Sequence, residues 1–227
     1  MSKLYIVGTP IGNLEDITLR AIRILGEVDI IFCEDTRVTR KLLSRYEIKT
    51  PLRRLDANIE KARAKEVIDR LVGGESIAFV TDAGTPGISD PGNRLVESVR
   101  QALGNNFPIE PIPGPSALTT ALSVAGISAD QFVFLGFLPH KKGRQTLLKE
   151  ISLMKRTVVL YESPHRILKF LGELSEFVGD REVVVARELT KKFEEVQRGT
   201  ARSIKDFLES TPKKVRGEFV IIIEGRN

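Results

Sequence analysis

The stretch that decides the fold runs from Ser76 to Gly92 and reads SIAFVTDAGTPGISDPG. It opens with a short apolar run, Ile77 to Val80, and passes directly into a loop of glycine, proline, aspartate and threonine. An apolar run of this length bounded by turn residues is typical of a buried strand in a parallel sheet. In open α/β sheets, ligands bind beyond the carboxyl ends of the strands. The stretch therefore predicts a buried strand followed by a ligand-binding loop.

Strands and helices alternate along the first half of the chain. Apolar residues at Ile17, Ala21, Ile22 and Leu25, for example, have the spacing of an amphipathic helix. Alternation of this kind predicts a mostly parallel sheet covered by helices. The predicted strands are Leu4 to Val7, Val28 to Cys33, Ser76 to Val80 and Ile109 to Ile112, and the predicted helices are Ile17 to Leu25, Val38 to Tyr46, Lys61 to Leu71 and Arg94 to Leu103.

The regular alternation of strands and helices ends after a helix predicted at Ala117 to Ala125. A strand at Phe132 to Leu138 leads into a basic, turn-rich segment, Pro139 to Arg144, and the later strands have fewer helices between them. We therefore expect an α/β protein of two domains, an α/β domain over residues 1–114 and an α+β domain over residues 115–227. The remaining predictions are strands at Thr157 to Tyr161, Glu182 to Arg187, Glu194 to Arg198 and Gly217 to Ile223, and helices at Pro164 to Phe177 and Ser203 to Glu209.

The composition is that of an ordinary globular protein with a mild basic excess. The chain has 227 residues, of which 41% are hydrophobic, enough for a sizeable core. Its 35 Lys and Arg against 30 Asp and Glu suit a polyanionic partner such as RNA, but also a basic protein without one. The single cysteine, Cys33, excludes an internal disulfide and favours a reducing compartment, by default the cytoplasm. The N-terminal apolar run is too short for a signal peptide, and no stretch approaches the ~20 residues of a membrane span.

Three loops that follow predicted strands are rich in glycine and proline: Gly8 to Asn13, Thr81 to Gly92 and Pro113 to Ala117. Glycine lets the backbone approach a ligand, and proline limits the entropy lost in ordering the loop. None of the three matches a dinucleotide fingerprint or a P-loop, so a ligand without phosphates fits better. Turn chemistry alone explains any one of these loops, but three at successive strand ends predict a pocket.

Seven segments of the chain together resemble the ribosomal-RNA branch of the tetrapyrrole methylase superfamily. The resemblance implies the two-domain class III methyltransferase fold, with S-adenosylmethionine in the cleft between the domains, and a homodimer. It also implies methyl transfer to the 2′-hydroxyl of a cytidine in small-subunit ribosomal RNA, either as RNA or in the assembled subunit. The segments cover nearly the whole chain and read LYIVGTPIGNLEDITLRA, CEDTRVTRKLL, VTDAGTPGISDPG, IPGPSALTTAL, YESPHRI, ARELTKKFEE and RGEFVIIIEG.

The same resemblance implies which residues surround the cofactor. A carboxylate such as that of Asp82 suits a cationic amino group, while Ser116 offers a hydroxyl and a backbone amide. Carried over by position in the motifs, the cofactor-binding residues are Pro10, Asp82, Ala83, Gly84, Thr85, Ser89, Ser116, Ala117, Tyr161, Glu162, Leu189, Glu218 and Phe219.

Two of the loops depart from the porphyrin-modifying branch of the superfamily. That branch resembles G-x-G-P-G in the first loop and G-D-P in the second, where this chain has GTPIGN and DAGTPGISDPG. The departure argues against a tetrapyrrole as the substrate and favours RNA. Three basic segments are candidate phosphate contacts, although each alone is equally well a solvated surface: His140 to Arg144, Lys191-Lys192 and Lys213 to Arg216.

The catalytic candidates follow the second strand. A ribose hydroxyl is a weak acid, so a general base is expected to add ~10²- to 10⁴-fold to the rate. In the cluster Glu34-Asp35-Thr36-Arg37, either carboxylate would accept the proton and Arg37 would hold a phosphate. The alternative is structural, with Glu34 capping the next helix and Asp35 paired with Arg37 or Arg40.

A second polar cluster contains Glu162, His165 and Arg166, with Arg187 and Glu188 further along the chain. A histidine that follows a proline at a helix start is more typical of the surface than of a catalytic base. Neither histidine of the chain has a companion at metal-ligand spacing, so no metal is predicted. Asn13, in the first loop, is a candidate for orienting the ribose.

Two other functions stay open from the sequence. One is methylation of a tetrapyrrole or another small molecule, as in the wider superfamily. The other is a non-catalytic module that binds RNA and keeps the pocket as a relic.

Overall fold

The computed structural model describes residues 2–57 and 59–226 of the chain. It divides into two compact units, Met1–Ser116 and Ala117–Asn227. Our sequence analysis places this boundary after residue 114. The last residues of the first unit form the loop after a strand, and Gly114 of that loop packs against the backbone of Gly8. The loop therefore belongs structurally with the first unit.

The first unit is a parallel α/β sheet. Its elements are β1 (Leu4–Val7), α1 (Leu19–Glu27), β2 (Ile30–Cys33), α2 (Thr36–Arg45), β3 (Leu52–Arg54), α3 (Glu60–Val72), β4 (Ile77–Val80), α4 (Asn93–Leu103) and β5 (Ile109–Ile112). The strand order is β3-β2-β4-β1-β5, and every neighbouring pair is parallel.

The central strands of this sheet are apolar throughout because both of their faces are buried. Ala78 and Val80 of β4 pack into one hydrophobic cluster with residues of α1 and α2. Ile77 and Phe79 of the same strand pack into another with residues of α3 and α4. The continuous apolar run that opens the deciding stretch is thus the run expected of a strand covered by helices on both faces.

The second unit contains a mixed sheet. Its elements are α5 (Ala117–Ala125), β6 (Phe132–Phe137), α6 (Arg144–Leu153), β7 (Thr157–Glu162), α7 (Ile167–Val178), β8 (Glu182–Arg187), β9 (Glu195–Thr200), α8 (Ala201–Ser210) and β10 (Phe219–Ile223). The strand order is β6-β7-β10-β8-β9, in which β6 and β7 are parallel and the other neighbours antiparallel.

One hydrophobic cluster holds the second unit together. Alternate residues of its strands, such as Val183 and Val185 of β8, face helices α6, α7 and α8. Helix α5 packs against β9 and β10. This arrangement confirms the mixed α+β pattern that the sequence predicts for the second half of the chain.

Two elements escape the sequence analysis. Strand β3 has only three residues, of which Arg53 and Arg54 are exposed, so it carries neither an apolar run nor an alternation. Helix α6 follows directly on the basic turn-rich segment, and its buried Leu148 and Ile151 are too few to give a clear period. All the elements that the sequence predicts are present in the structure, with ends that differ by a few residues.

Candidate active site

Three glycine- and proline-rich loops begin at the same edge of the first unit's sheet. They follow β1, β4 and β5, which are neighbours in the order β4-β1-β5 and run parallel. Because parallel strands have their carboxyl ends at one edge, the loops that follow them start side by side. The prediction that these three stretches come together is confirmed by the strand order.

The first and third loops touch through their backbones at two glycines. The amide of Gly8 donates a hydrogen bond to the carbonyl of Ile112, over 2.9 Å. A Cβ on Gly8 would lie 2.8 Å from the amide nitrogen of Gly114, and a Cβ on Gly114 would lie 2.7 Å from the carbonyl oxygen of Gly8. Only glycine at both positions permits this approach.

The first and second loops are joined by a small antiparallel bridge between Thr9 and Gly84. Each amide donates to the other residue's carbonyl, over 2.9 and 3.0 Å. The hydroxyl of Thr9 also donates to the carbonyl of Thr81, over 3.1 Å. Gly84 has a φ of +80°, which only glycine adopts readily. The three loops therefore form one connected wall, in which Gly84 has a structural reason to be glycine.

A buried glutamate anchors the far end of the second loop. The carboxylate of Glu60, at the start of α3, accepts hydrogen bonds from the amides of Gly92 and Leu95, each over 3.0 Å. It thereby supplies the acceptor that the amino end of α4 requires. Glu60 is not recognisable from the sequence, because a glutamate at a helix start is ordinarily a solvated residue. The Asn93 side chain also donates to the carbonyl of Gly87, over 2.9 Å.

Carboxylates gather where β2 and β4 end. The amide of Asp35 donates to a carboxylate oxygen of Asp82, over 3.0 Å, and the amide of Asp82 lies 3.5 Å from a carboxylate oxygen of Glu34. Since β2 and β4 are neighbours in the sheet, residues 48 positions apart meet in this way. Asp56, after β3, forms an ion pair with Arg54 at 2.6 Å. The tertiary structure thus joins the predicted catalytic cluster to the predicted cofactor-binding Asp82.

The pKa values of Glu34 and Asp82 are raised above the ordinary carboxyl range. For Glu34 the main cause is partial burial and the next is the negative charge of Asp82. For Asp82 burial is again the main cause, and the negative charge of Asp35 adds to it against the hydrogen bond from the Asp35 amide. Within the described residues, neither carboxylate forms a salt bridge with a lysine or arginine. Both would consequently gain from a cationic ligand.

Asp35 differs from its neighbour Glu34 because it caps helix α2. Its carboxylate accepts from the amide of Arg37, over 2.8 Å, and from the Arg37 guanidinium Nε, over 3.0 Å. These bonds lower the pKa of Asp35 well below its usual range. The sequence allows a purely structural interpretation of this cluster, in which Glu34 caps the helix and Asp35 pairs with Arg37 or Arg40. In the structure the residue that caps α2 is Asp35 and not Glu34, and Asp35 also pairs with Arg37. The guanidinium of Arg37 is otherwise exposed.

The remaining predicted cofactor residues of the first unit line the same loops. Pro10 and Gly84 are buried, Ala83, Thr85 and Ser116 are half-buried, and Ser89 is exposed. Ser89 has a φ of +61°, an uncommon backbone conformation for a serine, so the end of the second loop is held in a strained turn. The hydroxyl of Thr81 is buried and has no hydrogen-bond partner among the described residues.

The predicted cofactor residues of the second unit differ in what their side chains offer. Glu162 is 3% exposed and forms ion pairs with Arg166 at 2.9 Å and Arg144 at 3.9 Å. Phe219 belongs to the hydrophobic core of this unit. Contacts of these two residues with a ligand would therefore rest on main-chain atoms.

Two other members of that group, Tyr161 and Glu218, are less buried than Glu162 and Phe219. Half-buried Tyr161 packs edge-on to Phe134 and Phe137, with ring centroids 4.9 and 5.6 Å away. Glu218 is exposed and pairs with Lys191 at 2.9 Å. The remaining predicted residues are Ala117, which is half-buried at the start of α5, and Leu189, which is buried.

His165 of the second cluster and His140, the other histidine of the chain, lie on the surface. His165 is exposed, and the ring of His140 lies 3.3 Å from the Arg166 guanidinium. Over residues 2–57 and 59–226, no group of three or more His, Cys, Asp or Glu side chains is arranged to hold a metal ion. The same residues include no helix with the length and apolar character needed to cross a membrane.

A parallel sheet with connected glycine-rich loops and a group of carboxylates at its carboxyl edge, followed by a mixed-sheet unit, defines a two-part α/β class of protein. The chain belongs to the tetrapyrrole methylase family: the family model described as Tetrapyrrole (Corrin/Porphyrin) Methylases matches residues 3–205. This membership confirms the family resemblance and the fold class predicted from the motifs.

Relatives of high similarity carry a more particular name. The chain is 46% identical, over the whole of both chains, to the ribosomal RNA small subunit methyltransferase I of Thermotoga maritima. It is 47% identical to the protein of the same name from Synechocystis, covering 99% of this chain and 80% of that one. A third, from Borrelia garinii subsp. bavariensis, is 47% identical over 97% of each chain.

Solved structures share the fold at low sequence identity. A uroporphyrin-III-C-methyltransferase from Thermus thermophilus is 20% identical, with a TM-score of 0.68 over 99% of this chain and 94% of that one. A diphthine synthase is 12% identical, with a TM-score of 0.73 over 99% of this chain and 90% of that one. Because their names differ, the shared fold alone does not identify the substrate.

Proposed function

We propose that this protein transfers a methyl group from S-adenosylmethionine to the 2′-hydroxyl of a cytidine ribose in small-subunit ribosomal RNA. The observation that carries the proposal is the pair Glu34 and Asp82, two neighbouring carboxylates with raised pKa values at the loop-bearing edge of the sheet. Full-length relatives that are 46–47% identical and named small-subunit ribosomal RNA methyltransferases support the same substrate.

The residues at this edge fit S-adenosylmethionine better than a nucleotide phosphate. The ligand carries a cationic amino group and a sulfonium, both of which relieve the repulsion between neighbouring carboxylates, whereas a phosphate would add to it. The loops contain neither phosphate-binding fingerprint, in keeping with this electrostatic preference. Asp82 would accept from the amino group, with the main chain of Ala83 to Thr85 and the third loop beside it.

When bound, S-adenosylmethionine supplies an electrophilic methyl group on its sulfonium sulfur. The side chains of this chain have to hold the ribose hydroxyl against that methyl and remove its proton. Positioning of this kind is worth roughly 7–11 kcal/mol of the barrier. The connected backbone of the three loops makes the first unit a rigid support for it, because the Thr9–Gly84 bridge leaves little freedom between the loops.

Glu34 is the better of the two predicted bases. A carboxylate with a raised pKa binds a proton more readily than one with a lowered pKa, and a general base works best when its pKa approaches the operating pH. Glu34 has the raised value, while Asp35 is held in its charged form by Arg37 and the helix cap. We assign the proton transfer to Glu34, and we assign to Asp35 the orientation of Arg37, whose exposed guanidinium would contact an RNA phosphate.

The remaining predicted residues are part of the same proposal. Pro10, Ser89 and Ser116 of the first unit, and Ala117, Tyr161, Leu189 and Glu218 of the second, would line the cofactor, with Glu162 and Phe219 contributing main-chain atoms. We also propose a cytoplasmic homodimer. Exposed Phe132 and Phe137 on the edge strand β6 support self-association, which light scattering of the purified protein would test.

The decisive experiment is methyl transfer to undermethylated small ribosomal subunits, or to their RNA, with methyl-labelled S-adenosylmethionine. We expect one labelled cytidine, with the label on the ribose oxygen, as mapped by nuclease digestion and mass spectrometry. Label on a base atom, or no label, would contradict the proposal. Titration with a porphyrinoid, followed by its absorbance, tests the tetrapyrrole alternative in the same preparation.

A cofactor titration separates the enzyme from a non-catalytic RNA-binding module. A ligand present at 100 times its dissociation constant stabilises the folded protein by about 2.7 kcal/mol. We therefore expect S-adenosylmethionine to raise the thermal midpoint. RNA binding without any cofactor-dependent shift would favour the non-catalytic alternative.

A further inference from the structure

The loop between β8 and β9, residues 188–194, presents an aromatic ring to solvent. Phe193 is 63% exposed, more than any other phenylalanine in the described part of the chain. The ammonium of Lys192 lies 5.7 Å from the centre of its ring, within range of a cation–π interaction. An exposed aromatic ring beside a cation is available for contact with a ligand.

This loop is rigid, so the exposure of Phe193 is built into the structure. Glu188 and Thr190 have φ values of +51° and +64°, and for β-branched Thr190 this conformation is strained. The amide of Glu188 donates to the carbonyl of Glu218 over 3.0 Å, and the carboxylate of Glu188 accepts from the Glu218 amide over 3.1 Å. The amide of Thr190 donates to the carboxylate of Glu194 over 2.5 Å. Strain that is held by such bonds clusters at functional sites.

Most carboxylates near Phe193 form ion pairs with lysine or arginine side chains of the loop and its neighbours. Glu188 and Glu218 both pair with Lys191 at 2.9 Å. Glu195 pairs with Lys214 at 2.5 Å and with Arg187 at 3.5 Å. Glu194 accepts from the Thr190 amide, which orders its side chain but leaves its negative charge in place.

Three further cations lie on this surface. Lys192, Lys213 and Arg216 are exposed and form no ion pair with a carboxylate among the described residues. The Lys214–Glu195 pair brings the segment 213–216 beside the loop, and the Arg187 guanidinium contacts the Arg216 carbonyl at 3.4 Å. Two basic segments that are separate in the sequence therefore lie on one side of the second unit.

We propose that Phe193 is a stacking platform for an unpaired RNA base, and that Lys192, Lys213 and Arg216 contact the flanking phosphates. An exposed aromatic ring with cationic side chains on the same surface is the combination by which proteins bind single-stranded RNA. This inference rests on the proposed function and adds to it the surface that holds the RNA strand. It also assigns a role to Phe193, which lies in the segment ARELTKKFEE but is not among the predicted site residues.

The test compares variants for binding of a fluorescein-labelled oligocytidylate of about 12 nucleotides, a length within the usual site sizes for single strands. F193A is expected to bind roughly 5- to 150-fold more weakly, and F193W to recover most of the loss, because stacking needs a flat ring of any kind. L153A is the matched control. Leu153 is 58% exposed on α6 of the same unit, and we expect its removal to leave RNA affinity unchanged.

Salt dependence distinguishes stacking from charge. K192Q is expected to lower the slope of log K against log salt by about 0.7, the value for one phosphate contact on a single strand. F193A is expected to lower affinity at every salt concentration without changing the slope. Far-ultraviolet circular dichroism and S-adenosylmethionine affinity, measured by calorimetry on both variants, should match the wild type.

Three outcomes would overturn the inference. These are equal RNA affinity of F193A and wild type, loss of cofactor affinity in F193A, or a change of its oligomeric state instead of its RNA affinity, which would indicate a protein contact. The proposed function is tested separately by wild-type methyl transfer. If wild type methylates the subunit and F193A binds RNA normally, only the role of Phe193 is wrong.

Discussion

Glu34 and Glu162 occupy similar places in the two units of this protein but differ in their partners. Glu34 directly follows β2, and Glu162 is the last residue of β7. Glu162 is 3% exposed and lies within ion-pair distance of Arg166 and Arg144. Glu34 has no salt bridge within the described residues and instead faces the negative charge of Asp82.

The difference separates a carboxylate that stabilises the fold from one available for chemistry. A buried carboxylate is normally paired, because an isolated charge loses far more solvation than packing returns. Glu162 follows that rule. Glu34 is only half-buried and Asp82 is exposed, so the rule does not require a cationic partner for either, and two neighbouring carboxylates with raised pKa values are expected where a ligand or a proton completes the site. Four predictions test this contrast.

The largest effect is expected from Asp82. D82A should abolish detectable S-adenosylmethionine binding, because it removes the acceptor for the cationic amino group. D82N should still bind the cofactor weakly. Isothermal titration calorimetry measures both. Q101A, which changes an exposed amide on α4, is the control and should bind as wild type does. Unchanged affinity in D82A would show that the assignment is wrong at this residue.

Glu34 should matter for rate more than for binding. E34Q is expected to lower kcat by ~10²- to 10⁴-fold, the usual contribution of a general base, with little change in cofactor affinity. D35N should lose much less, because asparagine still caps a helix. Single-turnover methyl transfer at saturating cofactor provides the comparison. A larger loss in D35N than in E34Q would move the base to Asp35.

Glu162 should matter for stability. E162Q removes the charge that pairs with partly buried Arg166 at 2.9 Å, while Arg144 keeps its closer partner Glu173 at 2.6 Å; breaking a buried pair costs about 3–5 kcal/mol. At about 2–4 °C per kcal/mol for a chain of this size, the thermal midpoint should fall by roughly 6–20 °C. E209Q, in an exposed pair with Lys205, should shift it little. An unchanged midpoint in E162Q would remove the contrast between the two glutamates.

The smallest effect concerns the pH dependence of stability. Because the folded pKa of Glu34 lies above its unfolded value, the folded state holds that proton more tightly, and stability falls as pH rises from about 4 through the raised pKa. E34Q should therefore gain stability relative to wild type as pH rises through this window.

For Asp35 the sign reverses, since its folded pKa is lowered. Its contribution to stability is present above about pH 4 and is lost in acid, so D35N should be less stable than wild type at neutral pH. Urea unfolding at a series of pH values measures both differences, and parallel curves for E34Q and wild type would contradict the sign.

Much of the fold can be predicted from local patterns. The apolar run Ile77–Val80 and its neighbours identify buried strands because a strand covered on both faces must be apolar at every position. The loop Thr81 to Gly92 can be recognised because glycine and proline mark turns. Strand β3 cannot be found in this way, since its pairing with β2 is a backbone interaction that its exposed arginines do not signal.

The sequence by itself determined the family, the strand–helix alternation and the three loops, because these depend on residue types and short spacings. Only the tertiary structure decided the partners of each charge. It placed Asp82 beside Glu34, made Asp35 the helix cap, and paired Glu162 with two arginines. It also brought Lys192, Lys213 and Arg216 to one surface around Phe193. Electrostatic roles depend on distance through space, and the strand order that sets those distances is established by long-range pairing that no local pattern records.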